Sequence, residues 1–210
     1  MSPKLKNALE WTYCILIAVV IALAIKYFVG TPTVVKQTSM NNTLVEGQRL
    51  WLNRWIRTVK GKYEVGDIIT FEAPSVTYPA LSQINYEKPI AIYNNNPKGF
   101  LSKFVYYVLE TTKQSYIKRV IGVAGDHIKI EDGKVYRNGE LLDEPYLQEG
   151  ISTYGKTYSD IIVPKGTVFA MGDNREHSTD CRDFGCIPLE KIESRVAFRF
   201  WPLNKFGKIK

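Results

Sequence analysis

"YIKRVIGVAGDHIKIEDGKVYRNGELL", Tyr116 to Leu142, decides the class of fold. Two short β-branched runs flank a Gly125-Asp126 turn, and Asp132-Gly133 and Asn138-Gly139 follow as strong hairpin signals. The same grammar continues on both sides. Upstream, "RLWLNRW" (Arg49–Trp55) mixes apolar and basic residues, and "GDIITFEAP" (Gly66–Pro74) reads as turn, buried strand and proline stop. Downstream, "GTVFAMGDN" (Gly166–Asn174) and "RVAFRFWP" (Arg195–Pro202) read as late core strands. The stretch Ser75–Ser115 differs. It holds a loop, "YNNNPKG" (Tyr93–Gly99), and then "FLSKFVYYVLETT" (Phe100–Thr112), apolar at helical spacing. The expectation is a mainly β chain: an antiparallel sheet domain carrying a hairpin subdomain over residues 127–165 and an insertion over 75–115 with one helix.

Ahead of the sheet lies "WTYCILIAVVIALAIKYFV", Trp11–Val29, whose 19 residues reach roughly 28 Å as a helix, close to a bilayer's hydrocarbon thickness. Lys26 can snorkel near one end, and Trp11, Tyr13 and Tyr27 suit the two interfaces. "ALA" at Ala22–Ala24 also fits a signal-peptide cleavage site, but the apolar run continues past it. We therefore expect an anchor over residues 1–30 and a domain over 31–210. Lys4 and Lys6 favour an inside N-terminus, although Lys26 and Lys36 on the other flank weaken the charge rule. The 210-residue chain carries a net charge of +7. With no recognition-helix or ribonucleoprotein pattern, that charge points to an anionic lipid bilayer rather than to nucleic acid.

Just beyond the span, "KQTSMNNTL" (Lys36–Leu44) presents Ser39 without a neighbouring base. The nearest histidine is His127. A lysine can serve instead if burial lowers its pKa from about 10.4 toward neutrality, a destabilisation of the ammonium by roughly 4 kcal/mol. Lys118, on the strand that opens the quoted stretch, is the candidate. A lysine on a strand ordinarily lies on a solvated face.

The ordered set of anchor, "SMNNTLVEGQRLWLNRW", "GDIITFEAP", "YIKRVIGVAGDHI" and "GDNREHSTDCRDFGCIPLEKI" resembles type I signal peptidase, a membrane-anchored serine protease with a Ser-Lys dyad. The resemblance covers the anchor to Pro74 and Tyr116 to Pro202. It implies Ser39 as nucleophile, Lys118 as general base, and Ser178 as the hydroxyl that orients the lysine amine. It implies that Arg119, Asp180 and Arg182 form a network behind the site, with Gly172, Asp173 and Asn174 as scaffold. The Ser39 backbone N–H and Gln37 are the candidates for the oxyanion hole. It further implies preprotein signal peptides as substrates, association with the protein export machinery, the plasma membrane with an extracytoplasmic domain, and neither metal nor cofactor.

Four positions depart from the family pattern. Gln37 stands where a serine is usual, and Asn42 where proline is common, which loosens the turn after Met40. Gln48 replaces an aspartate, and Cys181 a serine. Cys181 and Cys186 leave a disulfide open, and a Cys181-His177 nucleophile or a zinc site are further readings. Trp51 and Trp55, among Arg49, Arg54, Arg57, Lys60 and Lys62, fit either an ordinary strand and basic turn or contact with lipid headgroups. A silent binding subunit of an export complex and a self-cleaving Ser-Lys regulator are the competing functions.

Overall fold

The computed structural model describes residues 3–209. Helix α1, Pro3–Ala24, continues through one wider turn, Ile25–Val29, and none of its residues is buried. The whole helix, Pro3–Val29, is long and apolar enough to cross a membrane. It begins eight residues before the expected span. Proline suits a first helical turn, where its missing N–H has no partner to lose, and Leu5, Ala8 and Leu9 propagate the helix.

Among the described residues eleven strands follow, all paired antiparallel within two sheets. They are β1 (Gly30–Val34), β2 (Arg49–Asn53), β3 (Ile68–Glu72), β4 (Ser115–Val123), β5 (His127–Glu131), β6 (Lys134–Arg137), β7 (Glu140–Leu141), β8 (Asp160–Ile162), β9 (Thr167–Met171), β10 (Ile187–Pro188) and β11 (Ile192–Trp201). The larger sheet runs β1-β2-β11-β3-β4-β9-β10 and the smaller β7-β6-β5-β8. Both hairpin signals form as read. Asp132 and Gly133 turn β5 into β6, and Asn138 and Gly139 turn β6 into β7, each pair at positive φ as the tight two-residue turn requires. Strand β1 was not anticipated. It carries Pro32, and an edge strand with only β2 as neighbour tolerates a residue that cannot donate to a ladder.

The central strands are buried throughout, β3 over Ile68–Glu72 and β9 over Thr167–Met171, which explains why apolar residues follow one another there instead of alternating with polar ones. Their core joins Ile69, Phe71, Val120, Phe169 and Ile192 to Ile128, Val135 and Ile161 of the smaller sheet. At Gly122 a Cβ would lie 2.7 Å from Ile128 Cδ1 and 3.0 Å from its Cγ1, so a larger residue would force Ile128 out of its place between the two sheets. A second cluster gathers Met40, Leu44, Leu50, Leu52 and Ile68 beneath the Ser39 loop.

The helix expected over Phe100–Thr112 is shorter. Helix α3, Phe100–Phe104, widens over Val105–Leu109 and stops at Glu110, whose φ of 58° takes the chain left-handed. Arg54 and Lys26 fix the Glu110 carboxylate there, at 2.8 and 3.5 Å. Local sequence could not announce a stop made by residues so far away.

Candidate active site

Ser39 enters the site because Met40, the next residue, is fully buried and pins the loop to the second core cluster. The expected loosening at Asn42 does not occur. Asn42 takes φ +84°, which asparagine tolerates and proline cannot reach, and hydrogen bonds from Asn41 N to Thr38 O and from Leu44 N to Met40 O close the turn. From the other side, Asn174 N donates to Ser39 O at 3.1 Å and Asn174 Nδ2 to Thr38 O at 3.1 Å.

Lys118 comes from the middle of β4, opposite Ile69 of β3, and is 2 % exposed, not on the solvated face where a strand lysine ordinarily lies. Its Nζ lies 2.6 Å from Ser39 Oγ. Burial pulls its pKa from 10.5 down to about 8, although Asp180 and other nearby groups pull it upward. Side chains two apart on a strand share a face, so Tyr116 lies beside it, its ring centroid 5.5 Å from Nζ. That periodicity was the available signal for Tyr116, which the motif reading quoted without assigning a part.

A cleft of about 290 Å³ opens over the pair, lined by Gln37, Thr38, Tyr116, His177 and Thr179 among others. A larger groove of about 610 Å³ adjoins it through Lys36, Gln37 and Tyr116. It runs between Thr31–Gln37 on one wall and Gln114–Ile117 on the other.

The sequence profile of the family described as "Signal peptidase, peptidase S26" matches residues 8–201. The chain belongs to this family. Signal peptidase I of Bacillus licheniformis is 32% identical over 99% of this chain and 96% of its own length. Signal peptidase IB of Staphylococcus aureus (strain N315) is 32% identical over 96% of this chain and 93% of its own. A solved signal peptidase I from Enterococcus faecalis aligns at 23% identity with a TM-score of 0.40, covering 64% of this chain and 96% of that one. Membership of signal peptidase I makes the chain a serine peptidase and disfavours the silent-subunit and self-cleaving readings. The apolar N-terminal helix and the family together fit a membrane-anchored protein.

Around Ser39 and Lys118 the remaining motif residues form a buried charge network. Arg119 grips Asp173 through Nε and Nη2, at 3.0 and 2.8 Å, and lies on the Tyr146 ring. Asp180 accepts from Arg182 Nε and Nη2, both at 2.9 Å, and from the Gly172 amide at 3.1 Å. Although burial opposes ionisation, Arg182 holds the Asp180 carboxyl below its usual range. Gly172 leaves no room for a side chain, since a Cβ there would overlap Ser178 Oγ and the Ser39 carbonyl. Ser178 is buried close by. Its hydroxyl faces the Asp180 carboxylate and helps to hold that group ionised, while Lys118 Nζ bonds to Ser39.

Sequence reading missed one member of this network. Arg175, also buried, forks onto Glu144 of the hairpin subdomain and bonds Thr153, tying the small sheet to the site. Its position inside "GDNR" was the only hint. Cys181 and Cys186 are free and buried. Burial pushes the Cys181 thiol well above its ordinary value and Cys186 up to about 12, which leaves no thiolate for the Cys181-His177 reading. Gln48 is buried and accepts from Arg199 at 3.1 Å, a structural part.

Proposed function

We propose that this signal peptidase I is a membrane-bound endopeptidase in which Ser39 attacks and Lys118 is the general base, removing signal peptides from preproteins. The observation that carries this is the 2.6 Å approach of a buried lysine, with its pKa brought down to about 8, to the serine hydroxyl. Neutral Lys118 takes the Ser39 proton as Oγ attacks the scissile carbonyl. The resulting ammonium protonates the leaving amine, and the freed amine then activates water to release the acyl-enzyme. The Ser39 backbone N–H is the proposed oxyanion donor, with Gln37, half-buried at the cleft edge, as its partner. Ser178 would steady the amine once substrate displaces the resting hydrogen bond, while Arg119, Asp173, Asn174, Asp180 and Arg182 hold the frame.

The substrate strand fits the groove as an added β-strand. Alternate side chains then point into the protein, so the first and third residues before the cut are read together. This matches the small-x-small rule of signal peptides. Residues 1–30 form the anchor and 31–210 the catalytic domain, with 75–115 as insertion. The domain lies outside the cytoplasm at the plasma membrane, where preproteins emerge from the export machinery, and association with that machinery is part of the reading.

A panel of preproteins varied around the cut tests specificity. Alanine and glycine at the first and third positions are expected to be cleaved and serine tolerated. Valine or leucine there should cost about 1–3 kcal/mol each, a drop of about 10- to 200-fold in kcat/KM. Proline just after the cut should block cleavage. Efficient cutting after lysine or an aromatic residue would remove the signal-peptide assignment.

Lys118 also sets a pH signature. Activity should rise about tenfold from pH 7 to 9, with an inflection near 8. The folded lysine has the lower pKa, so the unfolded chain binds more protons between about 8 and 10.5. The fold therefore carries its full penalty, on the order of 3 kcal/mol, below about 8 and loses it as the pH climbs to 10.5. Lys118→Met should be more stable than the native chain at pH 7, with the gain vanishing above pH 10.5. An inflection near 10.5 with no such gain would mean an unactivated lysine.

A further inference from the structure

We propose that the Phe100–Leu109 segment is a second lipid-contacting element, an interfacial helix clamped to the end of the anchor with Phe100 and Leu101 inserted in the bilayer. The proposal rests on the reading of Pro3–Val29 as a membrane anchor. Two large apolar side chains at the start of the segment face away from the domain, Phe100 84% and Leu101 72% exposed, with Ser102 and Lys103 exposed beside them. Its opposite side is fixed to the domain, where buried Tyr106 donates to Glu72 Oε1 at 2.7 Å.

The clamp sets its depth. Lys26, near the end of the apolar helix, donates through Nζ to Val108 O and Leu109 O, each at 3.1 Å. It also pairs with Glu110 at 3.5 Å, and Arg54 holds the same carboxylate at 2.8 Å. A lysine at the end of a membrane span seeks the headgroup level, so the carbonyls it caps lie at that level too. Exposed Lys98 and Lys103 beside the apolar residues match an anionic surface. Half-exposed Trp55 belongs to a short helix, α2 (Trp55–Thr58), held at the same level because Arg57 donates to Tyr27 O at 2.8 Å. These bonds to the anchor favour lipid over a protein partner as the occupant. Leu109 and Glu110 line one end of the 610 Å³ groove, so the groove would open where an apolar segment leaves the bilayer.

The test uses the full chain in phosphatidylethanolamine–phosphatidylglycerol vesicles. A nitrobenzoxadiazole probe is placed at Leu101→Cys, or at Leu141→Cys on β7 as control, in a Cys14→Ser background; the two remaining cysteines are buried. The position 101 probe is expected to shift to the blue and to be quenched by acyl-chain nitroxides, the position 141 probe to stay water-like. Water-like emission at 101 from protein that floats with the vesicles would overturn the proposal and leave the anchor standing. Protein that fails to float would remove the anchor and the proposal together. A shift that tracks protein density instead of nitroxide lipid would give the face to a second copy and overturn the lipid assignment. Phe100→Ser combined with Leu101→Ser should lower cleavage of a vesicle-bound preprotein several-fold and leave a short soluble peptide unaffected. Equal rates on the vesicle-bound substrate would also overturn it.

Discussion

Ser39→Ala is expected to lower preprotein cleavage roughly 10⁴- to 10⁶-fold with the fold retained, and Lys118→Ala by a similar factor. The double variant should lose little more than either single one, because an attacking hydroxyl and its base act as one unit. Ser39 Oγ and Lys118 Nζ lie 2.6 Å apart, and each is the other's only polar neighbour bonded through the side chain among the described residues. Lys118→Arg should be as inactive as the alanine variant, since a guanidinium does not release its proton in this range. Cleavage of a labelled preprotein by purified variants, with circular dichroism as the folding control, makes the measurement. Substantial turnover by Lys118→Ala at neutral pH would take the lysine out of the mechanism.

The second large effect is on stability. Asp180→Ala is expected to cost about 3–5 kcal/mol, read as a fall in the urea midpoint, because it leaves the Arg182 guanidinium buried without its counter-ion. Arg182→Ala should cost a similar amount, and the double variant less than the sum of the two. The Asp180 carboxyl has a lowered folded pKa, so its stabilisation is present above its unfolded value of 3.8 and is lost as the pH falls through the folded value. Asp180 also acts on Lys118, since its charge raises the Lys118 pKa against the effect of burial. Asp180→Asn should therefore move the activity inflection below 8. An unchanged midpoint in Asp180→Ala, or an inflection moved upward in Asp180→Asn, would contradict this account.

The two sulfhydryls near the site illustrate how burial alters chemistry that sequence alone leaves open. "CRDFGC" is compatible with a disulfide, a metal or a nucleophile. In the fold, Cys181 Sγ accepts from Ala170 N at 3.2 Å inside the core, and desolvation suppresses its ionisation. It serves as packing.

The strands and turns were legible in the sequence because their causes are local. Period-two or unbroken apolar runs set β3, β4, β9 and β11, and Asn138-Gly139 supplies the positive φ its hairpin needs. The anchor was legible for the same reason, although its start lay earlier than the apolar run. Ser39 and Lys118 could be named as candidates from the residues, but only the family resemblance set them apart from other serines and lysines, since nothing local relates them. Tertiary structure decided the rest. A lysine is charged and solvated on most strands; Lys118 is buried because β4 lies between β3 and β9, and that burial lowers its pKa although the Asp180 charge pulls the other way. Strand β1 exists only because β2 offers it an edge, and the α3 segment ends where it does because Arg54 and Lys26 arrive from elsewhere in the chain to hold Glu110. Burial and long-range charge pairing are properties of chain segments brought together by the fold, and a one-dimensional pattern does not contain them.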